Sequence, residues 1–450
     1  MIQKGIHGLT AQLKDKLIQQ ALERRFKQSN TPTIEEKPPS KLTEKHLIPE
    51  QYYRFNQLPG YQQLCIMNDG AARLGIESPF FKLHNGCAGA TSEINNQTYI
   101  NFASYNYLGL SGHPETNRAA KEAIDLYGTS ASASRMVAGE RPIHRKLEQT
   151  IANAYGVQDA VVFVSGHATN VTTIGYLFGS KDLIVHDELV HNSILEGITL
   201  SGAKRLPFAH NNSAALDELL TKQRHHFERV LIVIEGIYSM DGDYPNLPEF
   251  VDIKNKHKTF LMVDEAHSFG VMGETGLGIR QHFNLKGSDV DIWMGTLSKA
   301  FAGCGGYIAG ETALIENLKC FAPGFLYSVG MSPALAAASL AAVEILQKEP
   351  ERVHALQQRG EFFLKAAQAV GINTGTSSGL AVIPAIVGSS VKTVRLSTAL
   401  FNRGINVQPI LYPAVPEKSA RLRFFISCHH TEEQIKHTIT LLAEEINRDN

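Results

Sequence analysis

Lys299 stands in the turn Gly295-Thr296-Leu297-Ser298-Lys299, directly after the apolar run that starts at Val290. An ammonium group that close to a buried strand end is costly unless it has a partner or a task. Such a lysine could form a Schiff base with an aldehyde cofactor, while Thr296 and Ser298 bind the cofactor's phosphate. A solvated surface lysine has the same local sequence, so the reading needs partners elsewhere in the chain.

Asp264 ends another apolar run, Phe260 to Asp264, and leads into Glu265-Ala266-His267. A carboxylate there could keep a pyridine nitrogen protonated and the ring able to accept electrons. It could equally cap a following helix. Asp264 lies 35 residues before Lys299, one strand–loop unit away, which suits two residues at the mouth of one sheet. His267 and Ser239, each shortly after a run, could hold the ring's phenolic oxygen.

Val161 to Ser165 runs into Gly166-His167, a strand–glycine–helix pattern whose backbone N–H groups could bind phosphate. No GKS or GKT is present there, and no GxGxxG follows a strand, so nucleotide binding is not supported. His186 and His191 are five residues apart, unlike an i,i+4 metal pair, and no third ligand is evident. No metal is expected; one histidine stacking on a flat ring suits this segment better. In the alternating stretch Ala420 to Ser427, Arg421 and Arg423 share a face. Either guanidinium could take a carboxylate through two parallel hydrogen bonds.

The elements that would position these groups are legible in outline. Apolar runs at 160–165, 182–186, 230–235, 260–264, 290–295 and 307–310 alternate with helical patterns, as in a mostly parallel sheet buried on both faces. In such sheets ligands sit beyond the carboxyl ends of the strands, where the residues above fall. Helices at 351–370, 392–403 and 431–447 interleave with β-like segments at 381–387, 406–410 and 422–427, a smaller α+β unit. Upstream, a helix over 61–75 precedes two short strands around Asn95-Asn96, and an amphipathic helix over 11–27 precedes a proline-rich linker. The expected division is 1–49 (helix and linker), 50–110 (N-terminal segment), 111–348 (large domain) and 349–450 (small domain).

Composition narrows the class. The 450 residues are 43% apolar and 19% charged, with a net charge of -1, so neither nucleic acid nor an anionic membrane is an expected main partner. Five scattered cysteines without a CxxC pair read as reduced thiols of a cytoplasmic protein. Neither a signal peptide nor an integral membrane segment is expected.

Four motifs in order then carry a resemblance. They are Asn101 to Leu110, Glu235 to Gly242, Asp264 to Gly270 and Thr296 to Lys299, with Gly128-Thr129-Ser130 between the first two. Together they resemble the α-oxoamine synthases, enzymes of fold type I that depend on pyridoxal phosphate (PLP). The resemblance implies an aspartate-aminotransferase-like α/β fold and a decarboxylative condensation of an α-amino acid with an acyl thioester. By position, Lys299 would carry the Schiff base and act as base, Asp264 would pair with the ring nitrogen, and His191 would stack on the ring. His267 and Ser239 would hold the phenolic oxygen, and Gly166, His167, Thr296 and Ser298 the phosphate. Asn106 would lie at the substrate and Arg423, the second arginine of its motif, would bind the amino acid carboxylate. A homodimer is implied, with Ser332 reaching the neighbour's phosphate.

There are two departures, the first of which leaves a backbone role intact and the second of which argues against the biotin-pathway substrate. His167 stands where relatives often have Phe or Tyr, and Ala414 where biotin-pathway members have Thr. The Ala131 to Pro142 segment and the N-terminal extension look closest to a polyketide-synthase-associated subgroup, which would make an acyl carrier protein a partner for the 11–27 helix. Another fold-type I activity, an aminotransferase or lyase, is the alternative. So is a non-catalytic partner subunit or carrier-protein-binding scaffold.

Overall fold

The computed structural model describes residues 48–73 and 78–448. The helix expected over 11–27 lies outside the described residues. The chain divides into two compact units at Gly70 and Ala71. In the first, two single 3-10 turns lead into the helix Pro59–Arg73, two residues earlier at each end than expected. Pro59 opens it, where a missing N–H costs nothing. Tyr52, Phe55, Ile66 and Met67 of this unit are exposed.

The second unit begins with a small sheet of β1 (His84–Asn85), β2 (Thr91–Ile94) and β3 (Gln97–Asn101). Asn95 and Asn96 both have positive φ (51° and 61°), as a two-residue hairpin turn requires. Next come β4 (Asp159–Phe163), β5 (Leu183–Asp187), β6 (Lys204–Phe208), β7 (Val230–Glu235), β8 (Phe260–Asp264), β9 (Ile292–Thr296) and β10 (Gly306–Gly310). They form one sheet in the order β4-β10-β9-β8-β7-β5-β6. β10 pairs antiparallel with β4 and β9, and the remaining pairings are parallel.

This sheet is covered on both faces. Along β7, Ile232 and Ile234 enter one apolar core, while Leu231 and Val233 enter the other. Along β9, Trp293 faces the first core, and Ile292 and Met294 face the second. Continuous apolar runs are what two buried faces demand. The sequence pattern missed β6. It is an edge strand, exposed at Lys204, Arg205 and Pro207, so it lacks the apolar run that marks its neighbours.

A third sheet, β11 (Val382–Ile386), β14 (Arg421–Phe425) and β13 (Gln408–Ile410), is packed by the helices Glu351–Ala369, Ser390–Asn402 and Glu432–Arg448. The β-like segment expected over 406–410 is two strands. Its first part, β12 (Ile405–Asn406), pairs in parallel with β3 instead.

Trp293 is fully buried in β9, and its indole N–H donates to the Gly287 carbonyl at 2.8 Å. Replacing it with alanine removes a large core side chain and orphans that carbonyl. Trp293→Ala should lose about 3–5 kcal/mol in urea unfolding of the full chain.

Candidate active site

Five strand ends meet at one cavity of ≈ 260 Å³. β4 leads to Gly166 and His167, β5 to His191, β7 to Glu235 and Ser239, β8 to Asp264 and His267, and β9 to Thr296, Ser298 and Lys299. All of these line it. Nine residues expected at the site from sequence are thus brought together.

At one end, the helix Gly166–Leu177 starts directly after β4. Ser165 caps it, accepting the Ala168 N–H at 3.1 Å. The first-turn N–H groups of a helix have no intrahelical acceptors and favour an anion. A Cβ added at Gly166 would lie 2.9 Å from Thr296 Oγ1, so bare backbone and a hydroxyl are held close together. Thr296 Oγ1 donates to the Gly305 carbonyl at 2.9 Å, and the Ser298 N–H donates back to it at 3.2 Å.

At the other end Asp264 is buried (4% exposed). Its Oδ2 accepts from Asn170 Nδ2 at 2.9 Å, and its Oδ1 from the Ala266 N–H at 2.9 Å. Asn170 also donates to Ser193 Oγ, and its own Oδ1 is buried without a partner. Asp264 therefore does not cap a helix; its carboxylate faces the cavity. The amide of Asn170 sets its angle.

His191 stands at the exposed rim and begins the helix Asn192–Ser201. Its Nδ1 accepts the Ser193 N–H at 3.2 Å. Its own N–H donates to Glu235 Oε1 at 2.5 Å. Burial lowers its pKa, with Asp264 opposing and Lys299 adding. His267 is buried, and its Nδ1 lies 2.8 Å from the Tyr107 hydroxyl. Burial first, then the charges of Lys299 and Arg423, hold it well below the ordinary histidine range, so its ring is neutral.

Lys299 is pulled down to about 8. Burial is the main cause and Arg423 adds to it, while Asp264 and Glu235 push the other way. An amine at that level can exchange a proton near neutral pH. Its Nζ sits 5.7 Å from the Tyr105 ring centroid. Glu235 is raised well above the carboxylate range by burial and by Asp264.

A second cavity of ≈ 770 Å³ shares Ser298 and Lys299 with the first and is lined by Tyr105, Asn106, Phe80 and Phe81. Asn106 thus reaches the expected region, but its amide is engaged with the backbone: Nδ2 donates to Ala88 O at 3.0 Å and Oδ1 accepts the Ser111 N–H at 3.1 Å. Arg423 lines neither cavity. It donates to the Ser239 carbonyl at 3.0 Å and packs 4.6 Å from the Phe425 ring, with its Nε buried and unpaired. Arg421 is tied up with Asp241 and Met240 O. Ser332 precedes the helix Pro333–Lys348 and donates to Thr129 O at 2.8 Å.

Sequence reading missed Asn170, Glu235, Tyr105 and Tyr107 as site residues. Glu235 carried a signal, since it ends the same kind of run as Asp264. Asn170 lies one helical turn after Gly166 and had none. The residues present fit an anionic aromatic aldehyde such as PLP: backbone N–H groups and hydroxyls at one end, a buried carboxylate at the other, and a depressed lysine between.

Residues 97–442 match the family described as Aminotransferase class I and II. An 8-amino-7-oxononanoate synthase of Bacillus pumilus is 38% identical over 361 residues, covering 80% of this chain and 91% of the relative. One of Fervidobacterium nodosum is 41% identical over 350 residues, covering 77% and 88%. The solved serine palmitoyltransferase of Sphingomonas wittichii superposes with a TM-score of 0.83 at 26% identity, covering 87% of this chain and 98% of that one. The 8-amino-7-oxononanoate synthase of Francisella tularensis gives 0.69 at 27% identity, covering 78% and 98%. A serine palmitoyltransferase with bound PLP–myriocin is similar at 0.83, 26%, 87% and 98%.

Competitive labelling of the cofactor-free chain with an amine reagent should give Lys299 a midpoint near pH 8, below the other lysines. Asp264→Asn removes a charge that raises this value, so the midpoint should move lower still. A midpoint unmoved by the substitution would show that the two groups do not interact.

Proposed function

The chain belongs to the α-oxoamine synthases, within the class I and II aminotransferase family, and on that footing we propose that it joins an α-amino acid to an acyl thioester. The Cα–carboxylate bond breaks, a Cα–acyl bond forms, and carbon dioxide and free thiol leave. The product is an α-amino ketone. The observation that carries the reading is that Lys299, Asp264 and the helix start at Gly166 open onto one cavity.

PLP, the family's cofactor, supplies an electron sink for the charge that develops on Cα. Asp264 would hold the ring nitrogen protonated, and the Asn170 amide keeps that carboxylate turned inward. Gly166, His167, Thr296 and Ser298 would hold the phosphate. His191 would cover the ring's face, while Ser239 and neutral His267 would contact its phenolic oxygen. Lys299 would take the Cα proton: at about 8 its amine is available as a base and still basic enough to be effective. Arg423 would pair with the amino acid carboxylate, its unpaired Nε being one donor on offer. The ≈ 770 Å³ cavity at Lys299 has room for the acyl chain beside Asn106.

A homodimer is part of the same proposal. Met136, Val137, Tyr327 and Val329 are exposed. Their segments adjoin, since the Gly330 N–H donates to Ala133 O at 3.0 Å. Such an apolar patch suits burial against a second copy, with Ser332 beside it. An acyl carrier protein as donor, received by the N-terminal extension, also belongs to the proposal. Among the described residues no helix is long and apolar enough to cross a membrane.

Mixing the PLP-loaded chain with single amino acids and with acyl-CoA or acyl carrier protein thioesters should release thiol and yield decarboxylated ketone masses. Oxoacid without thiol release would replace the proposal with transamination. Lys299→Ala should lower thiol release by about 10²–10⁴-fold or more, the usual contribution of a positioned base. Arg423→Leu should raise KM for the amino acid roughly 10- to 100-fold, the cost of a charge-assisted hydrogen bond.

A further inference from the structure

His210 follows β6, outside the cavity. Its Nδ1 lies 2.9 Å from Asp187 Oδ1, and its Nε2 lies 3.0 Å from Asp243 Oδ2. A ring with a carboxylate at each nitrogen has a proton on both, since a bare lone pair would face an anion. The Asn211 amide is 3.3 Å from the same Nε2, and its Oδ1 is buried without a partner. Turning that amide over sets the orphaned oxygen against Nε2–H, which the bridge also favours.

The two carboxylates belong to different parts of the unit. Asp187 ends β5; its Oδ2 accepts the Asn211 N–H at 2.7 Å, and its Oδ1 the Leu189 N–H at 2.8 Å. Asp243 closes the turn that follows β7, the turn that contains Ser239. On its far side this turn is pressed against the C-terminal sheet. A Cβ at Gly242 would lie 2.0 Å from the Val382 carbonyl oxygen, and Gly242 has φ +72°. Ser378 N–H donates to Gly242 O at 3.1 Å, and Thr376 Oγ1 donates to Asp243 Oδ2 at 2.7 Å. Arg421 and Arg423 donate to the carbonyls of Met240 and Ser239. His210 thus ties the near side of a turn whose far side orients Arg423.

We propose that His210, protonated on both nitrogens, is a positioning residue: its bridge between Asp187 and Asp243 holds the 239–243 turn so that the Ser239 carbonyl aims Arg423. This rests on the role given to Arg423 above. Without the bridge, two buried anions face each other and push the turn off the β5 end. The groups packed around the ring are Asp187, Asp243, the Tyr238 ring edge-on at 4.5 Å, and Glu188, which accepts the His210 N–H. Burial lowers the ring's pKa, but the two carboxylates outweigh it and lift it to about 10. A value raised above the unfolded one gives stability that is complete below about pH 6.5 and is lost as the pH rises through about 10.

The test is hydrogen exchange on the full PLP-loaded chain, with kinetics alongside. In His210→Ala, peptides spanning 236–243 and 374–382 should exchange about tenfold faster, matching loss of a hydrogen bond to a charged group, with β8 and β9 unchanged. KM for the amino acid should rise about tenfold with kcat nearly constant, a uniform loss of binding. In the unsubstituted chain, exchange of the turn, corrected for its intrinsic rate, should rise through about pH 10. Asp243→Asn, which breaks the bridge from the other side, should loosen the same peptides, and it serves if His210→Ala does not fold. Unchanged exchange of the turn overturns the bridge. So does loosening of every peptide with kcat and KM failing together. Arg423→Leu separates the two readings: if it raises KM and His210→Ala does not, the bridge is wrong; if Arg423→Leu leaves KM unchanged, the site reading is wrong.

Discussion

Two carboxylates that must share one space set the terms for this site. Glu235 and Asp264 are register partners at the ends of adjacent parallel strands, so their side chains project side by side. Both are buried. Like charges that close cannot both stay ionised without compensation, and burial sharpens the conflict. The protein answers it from three sides: the His191 N–H on Glu235, the Asn170 amide on Asp264, and the Lys299 amine across the cavity. A cationic ring in the cavity would complete the balance. Burial raises the Glu235 pKa and lowers that of Lys299, while the two carboxylates oppose the shift at Lys299.

Much of this could be read from the chain. β7 and β8 match their apolar runs end for end, and β4, β5, β9 and β10 are displaced by no more than two residues. Strands buried on both faces have to be apolar throughout, so composition alone outlines them. The chemically distinctive residues follow because a strand's last residue, or the turn just after it, is where a buried sheet reaches open space. β6 escaped because an edge strand needs no apolar run. The split of 406–410 escaped because the β3 partner of Ile405 and Asn406 is contributed by a distant part of the chain. Asn170 and Tyr107 reach Asp264 and His267 from a helix and from the loop of the Asn101 to Leu110 motif; neither residue's type announces that contact, and only folding brings them near. The choice of Arg423 over Arg421 came from resemblance; in the fold Arg421 is committed to Asp241, while Arg423 lines neither cavity, donates to the Ser239 carbonyl and keeps a buried, unpaired Nε.

The C-terminal sheet matters to the site through one turn. Residues 236–243 leave β7 beside the cavity and end under β11, with two arginines of β14 holding its carbonyls. Those arginine hydrogen bonds hold it from the C-terminal side. The charged groups at Asp187, His210 and Asp243 fix it laterally as well. Ser239 is therefore positioned by contacts on both sides, which is more than a surface loop of eight residues ordinarily receives.

The pairing of β12 with β3 constrains how the molecule comes into being. Asn406 meets Asn101 across about 300 residues of chain, and Asn406 Nδ2 donates to Asn101 Oδ1 at 3.0 Å. The segment that follows β3 carries Tyr105, Asn106 and Tyr107. During synthesis the central sheet can form as its strands emerge, but the wall bearing these residues must wait for β12 to leave the ribosome. A nascent chain would hold its lysine and acids together before the ≈ 770 Å³ cavity had closed beside them. Competence would then arrive in one late step, set by the slowest long-range contact in the chain.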